Sequence, residues 1–227
     1  MKRLTYLANI IQTDKGTITG DKHGYTEKYN KFFEDVANRC YSENRKVKIL
    51  EIGVFSGSSL YLYNRFFDKN CEIYAIDTDE KCLRINSENI HISLCDQGDR
   101  NQLQQYIESI GDIKFDIIID DGNHRSEDQL VSISLLHKNL NENGYYIIED
   151  LHGQSVAEEY NICKYEETCL YFLTFRNPST YLTKEENEEL LNDIKDIELY
   201  YISNDNGSVA NCKHKSITSV ITFKNTQ

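Results

Sequence analysis

Val47-Lys48-Ile49-Leu50-Glu51-Ile52-Gly53-Val54-Phe55-Ser56-Gly57-Ser58-Ser59 decides the fold. Val47–Ile52 reads as a short buried strand, two glycines open the chain, and Ser58–Phe67 then takes a helical pattern. A glycine-rich turn between a strand and a helix lets a ligand approach the backbone closely. Working outward, the same alternation repeats. Glu72–Ile76 is a second strand ending in Asp77, with a helix from Asp79. His91–Cys95 is a third, ending in Asp96, with a helix from about Arg100 to Ile110. Phe115–Ile119 is a fourth, and Tyr145–Ile148 a fifth. Between those two, Ser126-Glu127-Asp128-Gln129 predicts a capping box for a helix carrying Leu130, Ile133, Leu135 and Leu136. Strands alternating with helices predict an α/β fold, a mostly parallel sheet with crossover helices.

Downstream, Tyr160–Phe175 is rich in aromatics without clear periodicity and reads as core. Thr183 is a cap for an acidic helix over Lys184–Ile194. Ile197–Ile202 and Ile217–Phe223 alternate as strands, joined by a polar loop containing Asn206-Gly207, and predict an antiparallel pair that brings the sheet to seven strands. Residues 1–45 read as an N-terminal helical cap over the sheet edge or site, and 46–227 as one domain, a division that 227 residues accommodate.

The net charge of −12, from 37 acidic and 25 basic residues, argues against nucleic acid as a partner, since that affinity rests on neutralising phosphates. It leaves room for a small anionic substrate held by a local Lys or Arg. Seven scattered cysteines without a C-x-x-C pair predict neither structural zinc nor a disulfide framework, and fit a reduced cytoplasm. No apolar run approaches the ~20 residues that cross a bilayer, so no membrane partner is expected. The opening Met1–Ile11 reads as an amphipathic helix rather than a signal peptide.

Chemistry concentrates at two strand ends, Phe115-Asp116-Ile117-Ile118-Ile119-Asp120-Asp121-Gly122-Asn123-His124 and Gly144-Tyr145-Tyr146-Ile147-Ile148-Glu149-Asp150-Leu151-His152. In an open α/β sheet, ligands bind outside the carboxyl ends of the strands. If these strands are neighbours, Asp120, Asp121, Glu149, Asp150, His124 and His152 crowd one small volume. Carboxylates held that close repel unless some are protonated or a cation sits among them. The pattern reads as a metal site with a base beside it, and oxygen donors favour Mg²⁺, Mn²⁺ or Ca²⁺ over zinc. The first-strand turn lacks both the G-x-G-x-x-G fingerprint and a P-loop lysine, so it expects a ligand without pyrophosphate. Asp77 is placed to accept from two ribose hydroxyls, and Asp96 and Gln97 to meet a base edge.

Glu51-x-Gly53-x-x-x-Gly57 with Asp77 resembles the class I S-adenosylmethionine (SAM) dependent methyltransferases over residues 47–150. That resemblance implies a Rossmann-like fold and SAM as cofactor, held by Glu51, Gly53, Ser58, Asp77, Asp96, Gln97 and Asp120. Three stretches resemble a narrower group, the macrolide sugar O-methyltransferases typified by the macrocin and mycinamicin enzymes. They are Thr13-Asp14-Lys15-Gly16 followed by His23-Gly24-Tyr25-Thr26 and Tyr29; Cys95-Asp96-Gln97; and Asp120-Asp121-Gly122-Asn123-His124 followed by Glu149-Asp150-Leu151-His152. Asn123 stands where the group has serine, Cys95 where it has glycine, and the chain has no tryptophan where the early segment usually carries one.

This second resemblance implies a divalent metal, usually magnesium, on Asp121, Glu149 and Asp150, with His124 as catalytic base. His23 and Tyr25 either touch the acceptor or pack the cap onto the sheet, and His152 either orients the substrate or is structural. The leading expectation is a metal- and SAM-dependent O-methyltransferase acting on a sugar hydroxyl of a nucleotide-activated sugar, a surface-polysaccharide precursor or a glycosylated metabolite. A catechol or other non-sugar acceptor is the second reading, and a SAM-binding module without turnover the third. Members of the resembled group often self-associate, so a homo-oligomer is also expected.

Overall fold

The computed structural model describes residues 1–18, 23–151, 164–202 and 216–224. Its strands are β1 (Val47–Ile52), β2 (Cys71–Asp77), β3 (Ile90–Leu94), β4 (Phe115–Asp120), β5 (Leu140–Ile148), β6 (Ile194–Ile202) and β7 (Ser216–Phe223). They form one seven-stranded sheet in the order β3-β2-β1-β4-β5-β7-β6. The first five are parallel, and β7 runs antiparallel to both β5 and β6. This is the α/β methyltransferase fold. Strand order reverses between β1 and β4, the switch point beside which such sheets bind their ligands. Ile52 pairs with Asp120, and Asp120 with Ile148, so the tips of β1, β4 and β5 end level. The fourth and fifth strand ends therefore do lie side by side.

Both faces of the sheet are covered, which is why the central strands are apolar almost throughout. On one face Ile49, Ile117, Ile119 and Ile147 pack with Leu4 and Ala8 of α1 (Arg3–Ile11), Tyr29, Phe33 and Val36 of α2 (Tyr25–Ser42), and Leu60 and Tyr63 of α3 (Ser58–Phe66). On the other, Leu50, Ile118, Tyr146 and Ile148 pack with Leu103 of α4 (Arg100–Ile110), Leu130 and Ile133 of α5 (Ser126–Leu136), Phe172 of α6 (Cys169–Phe175) and Leu190 of α7 (Lys184–Asp193). The N-terminal segment thus shares one core with the sheet.

Two local expectations need correction. After β2 the chain makes only a 3₁₀ turn, Glu80–Ile85, capped by Asp79 accepting from the Lys81 amide, and no α-helix. The four-residue capping box before α5 does not form. Arg125 is the cap residue and has no side-chain cap bond. Asp128 instead accepts from the Asn123 side chain at 2.5 Å, drawn to the loop after β4. Thr183 does cap α7, in a reciprocal box with Glu186. The aromatic stretch supplies Cys169, Leu170, Phe172 and Leu173 to the core, as read. Among the described residues no helix is long and apolar enough to cross a membrane. The Asn206-Gly207 loop and His152 lie outside the described residues.

Candidate active site

Sheet pairing continues one residue past each central strand. The Asp121 amide donates to the Ile52 carbonyl at 3.0 Å, and the Glu149 amide to the Asp120 carbonyl at 2.9 Å. His124 and Asp150 then turn through left-handed backbone, φ 60° and 55°. That region costs a non-glycine residue roughly 1–2 kcal/mol, so the surrounding contacts must hold it. The result brings donor atoms of Asp121, His124 and Asp150 within 4.8 Å of one another. His124 Nε2 lies 3.5 Å from Asp150 Oδ2, and the ring is 37% exposed. His124 Nδ1 is buried without a hydrogen-bond partner among the described residues.

Glu149 sits just beneath this trio and is 1% exposed. Its Oε2 accepts from Lys15 Nζ at 2.5 Å, and the same ammonium donates to Asp121 Oδ2 at 2.5 Å. Glu149 Oε1 is buried and also lacks a partner among the described residues. Burial drives the Glu149 carboxyl well above the usual carboxylate range, with Lys15 pulling the other way, and Asp121 is raised for the same reason. Burial opposes the charge on Lys15, but Asp121 and Glu149 outweigh it and hold its pKa well above the ordinary lysine value.

Tyr25 is fully buried and donates to Asp150 Oδ1 at 2.6 Å. Its ring stacks between His23, 5.0 Å away, and Tyr29, 5.9 Å away. Of the two possibilities for Tyr25, the geometry gives packing beneath a site carboxylate. His23 is half-buried, with Nδ1 2.8 Å from Ser216 Oγ and 3.5 Å from Asp150 Oδ1.

The β1 turn wraps the other side of the crevice. Gly53 has φ 88°, and a Cβ added there would stand 2.2 Å from the Asp121 carbonyl oxygen, so the close approach of the two loops requires glycine. Asp77 Oδ2 accepts from the amides of Val54 and Phe55, and Oδ1 from Asp79. Burial alone would raise the Asp77 pKa, but these three amides hold it below the usual range. The carboxylate thus shapes the turn while keeping lone pairs for a further donor. Phe55 projects from that turn, 92% exposed. Ser58 opens α3, its Oγ 2.8 Å from that of Ser56, and Asp96 accepts from the Gly98 amide.

Gln97 and Asp120 face each other rather than the crevice. Gln97 Nε2 donates to both Asp120 oxygens and to Ser132 Oγ, and Oε1 accepts from the Asn123 amide. Both side chains are buried, and burial pushes Asp120 up to about 7. They brace the Asp121–His124 loop from below, so a base-edge contact by Gln97 is not what this geometry offers.

Glu51 is fully buried and accepts from Ser59 and Tyr63 hydroxyls at 2.6 and 3.1 Å. Burial, against the pull of Lys15, raises its carboxyl to about 7. A folded-state pKa above the unfolded value gives stability that is complete below about pH 4.5 and is lost as pH rises through about 7. Glu51→Gln, neutral throughout, is therefore expected to match the parent near pH 4.5 and to exceed it by up to about 3 kcal/mol near pH 8. Thermal unfolding of both proteins across that range checks this, and a pH-independent offset would reject it.

Sequence reasoning placed Lys15 only within a quoted motif and missed Ser59, Tyr63 and Gln129, whose amide donates to the Glu149 carbonyl. The available signal was charge. Three converging carboxylates in a buried volume demand a cation, and a lysine of the preceding segment is a source of one.

Residues 50–151 match a family model described as a methyltransferase domain. The chain is 33% identical over 136 residues to an 8-demethyl-8-alpha-L-rhamnosyl tetracenomycin-C 2'-O-methyltransferase of Streptomyces olivaceus, covering 57% of this chain and 33% of that one. It is 31% identical over 139 residues to the demethylmacrocin O-methyltransferase of Streptomyces fradiae, covering 58% and 33%. The chain thus matches about one third of the length of these curated relatives. Among solved structures it is similar to the MycE methyltransferase of mycinamycin biosynthesis, in complex with Mg, SAH and mycinamycin VI, at TM-score 0.70 and 22% identity, over 99% of this chain and 56% of that one.

Proposed function

We propose that the chain is the catalytic unit of a SAM- and divalent-metal-dependent O-methyltransferase acting on a sugar hydroxyl of a glycosylated small molecule. The observation that carries this reading is the convergence of Asp121, His124 and Asp150 at the β4 and β5 tips, beside the glycine turn at the switch point. A methyltransferase-domain match across the same residues supports it, as do relatives named for methylating sugars of antibiotics. Those names favour a glycosylated metabolite over a polysaccharide precursor. The described cysteines, all buried and free, support a reducing compartment.

The residues fit the metal. Asp121, Asp150 and Glu149 offer hard oxygen donors, and Glu149 Oε1 is a buried acceptor without a partner among the described residues. A divalent ion held there would lower the pKa of a hydroxyl bound to it, as such ions do for water. For SAM, which supplies an electrophilic methyl group, the Gly53–Gly57 turn and the Asp77 carboxylate form the cradle, with Ser58, Asp96 and Glu51 around it.

The chain's own residues then perform alignment and proton removal, the two tasks an in-line displacement leaves to the protein. We assign the acceptor's proton to the His124 ring, the most exposed side chain of the trio, which lies beside Asp150. Asp150 stabilises the imidazolium so formed, and Tyr25 keeps that carboxylate in place. His23, beside the same carboxylate, is placed to orient the acceptor. Lys15 and Tyr25 fill the space beneath the tips, on the side of the sheet that α1 and α2 cover. The test is incubation with SAM, Mg²⁺ and a panel of deoxysugar glycosides, nucleotide sugars and catechols, read by mass. Methylation of a glycoside is expected, while a chain that methylates only catechols, or binds SAM and methylates nothing, rejects the proposal.

A further inference from the structure

We infer that Lys15 sets the charge of the proposed metal centre, so that the centre selects a divalent over a trivalent cation. It is a positioning residue, and the inference rests on the metal reading above. Three features carry it. The Lys15 side chain is 2% exposed, and its Nζ lies 2.5 Å from both Asp121 Oδ2 and Glu149 Oε2. One ammonium therefore occupies the inner side of two carboxylates whose other oxygens remain for an ion. Its backbone is fixed as well. The Lys15 carbonyl accepts from both the amide and the hydroxyl of Thr26 at the start of α2, and the next residue, Gly16, donates to the Thr13 carbonyl. The backbone that carries the ammonium is thus held in place beside both acids.

Charge counting gives the consequence. With an ion bound, Asp121, Glu149 and Asp150 would bring three negative charges, and Lys15 would leave two. Glu51, the other carboxylate facing Lys15, accepts from Ser59 and Tyr63 and is common to the parent and every Lys15 variant, so its charge drops out of their comparison. A buried centre of two negative charges is matched by a divalent ion. Removing the ammonium increases the attraction for any cation in proportion to that cation's charge, so a trivalent ion gains half as much again as a divalent one. The ratio of the two affinities reports this difference and cancels any loosening of the site that both ions feel.

The experiment titrates the whole chain with Tb³⁺, whose emission is sensitised by tyrosine, and displaces it with Mn²⁺. Tyr25, hydrogen-bonded to Asp150, is the antenna. Lys15→Met is expected to shift the Mn²⁺/Tb³⁺ affinity ratio toward Tb³⁺ by at least about tenfold, and Lys15→Arg, which keeps the charge, to stay within about twofold of the parent. An unchanged ratio in Lys15→Met overturns the inference, and so does an equal shift in Lys15→Arg, which would make shape rather than charge the cause. Should Lys15→Met not fold, the pair Lys15→Met with Glu149→Gln restores two negative charges. It is expected to keep the parental ratio, and a tenfold shift there overturns the inference. A parent chain that takes up neither ion rejects the metal reading itself, an outcome distinct from every result on Lys15.

Discussion

Replacing His124 with alanine is expected to slow methyl transfer by about 10²–10⁴-fold, the usual contribution of a positioned general base. Single-turnover transfer to a glycoside measures it, with Mn²⁺ and SAM binding followed in parallel. The geometry makes the two readouts separable. His124 approaches Asp150 at 3.5 Å, yet its ring is the most exposed of the trio, and Asp150 has Tyr25 as an independent anchor. The ion is therefore expected to bind the variant nearly as well as the parent. His124 also lies among the three donors within 4.8 Å, so a variant that lost Mn²⁺ together with activity would make the imidazole a ligand instead of a base. Undiminished transfer would remove it from the chemistry altogether.

Asp121→Asn should act through the metal. Asp121 contributes one oxygen to the trio and the other to Lys15, so the neutral amide removes an anionic donor and leaves Lys15 with Glu149 alone. We expect Mn²⁺ affinity to fall by at least about tenfold, and transfer to fall with it but to recover partly at high Mg²⁺. In the parent, EDTA is expected to abolish transfer and added Mg²⁺ to restore it. Transfer that persists in EDTA would mean that the carboxylates serve only to seat Lys15.

The strand pattern was legible because each central strand is a short apolar run with its own punctuation. Gly53 just past β1, Asp77 closing β2 and Asp120-Asp121 at the end of β4 mark strand ends where the chain must turn. The adjacency of the β4 and β5 tips was a condition of the sequence reading, and the register Asp120 with Ile148 meets it. Hidden from sequence were the directions of side chains that leave a strand end. Gln97 and Asp120 read as ligand-facing because they sit next to the crevice, but a Cβ on Gly122 would be only 1.6 Å from Gln97 Oε1, so the loop closes directly on that amide. The failed capping box before α5 has a similar origin. Asp128 had a tertiary partner in Asn123, and local spacing does not register such competition. Lys15 was hardest, since its partners Asp121 and Glu149 lie 106 and 134 residues away.

The burial of Lys15 has a practical corollary for anyone recombining this chain with its relatives. Because this lysine is buried between acids that directly follow β4 and β5, the amino-terminal piece and the sheet cannot be shuffled as independent cassettes. A donor leader without an amine at that depth would leave the recipient's two acids facing each other with no counter-ion. Grafts that carry this lysine and both acidic tips from one parent should keep the match, and crossover points are best chosen in the exposed turns at the opposite end of the sheet.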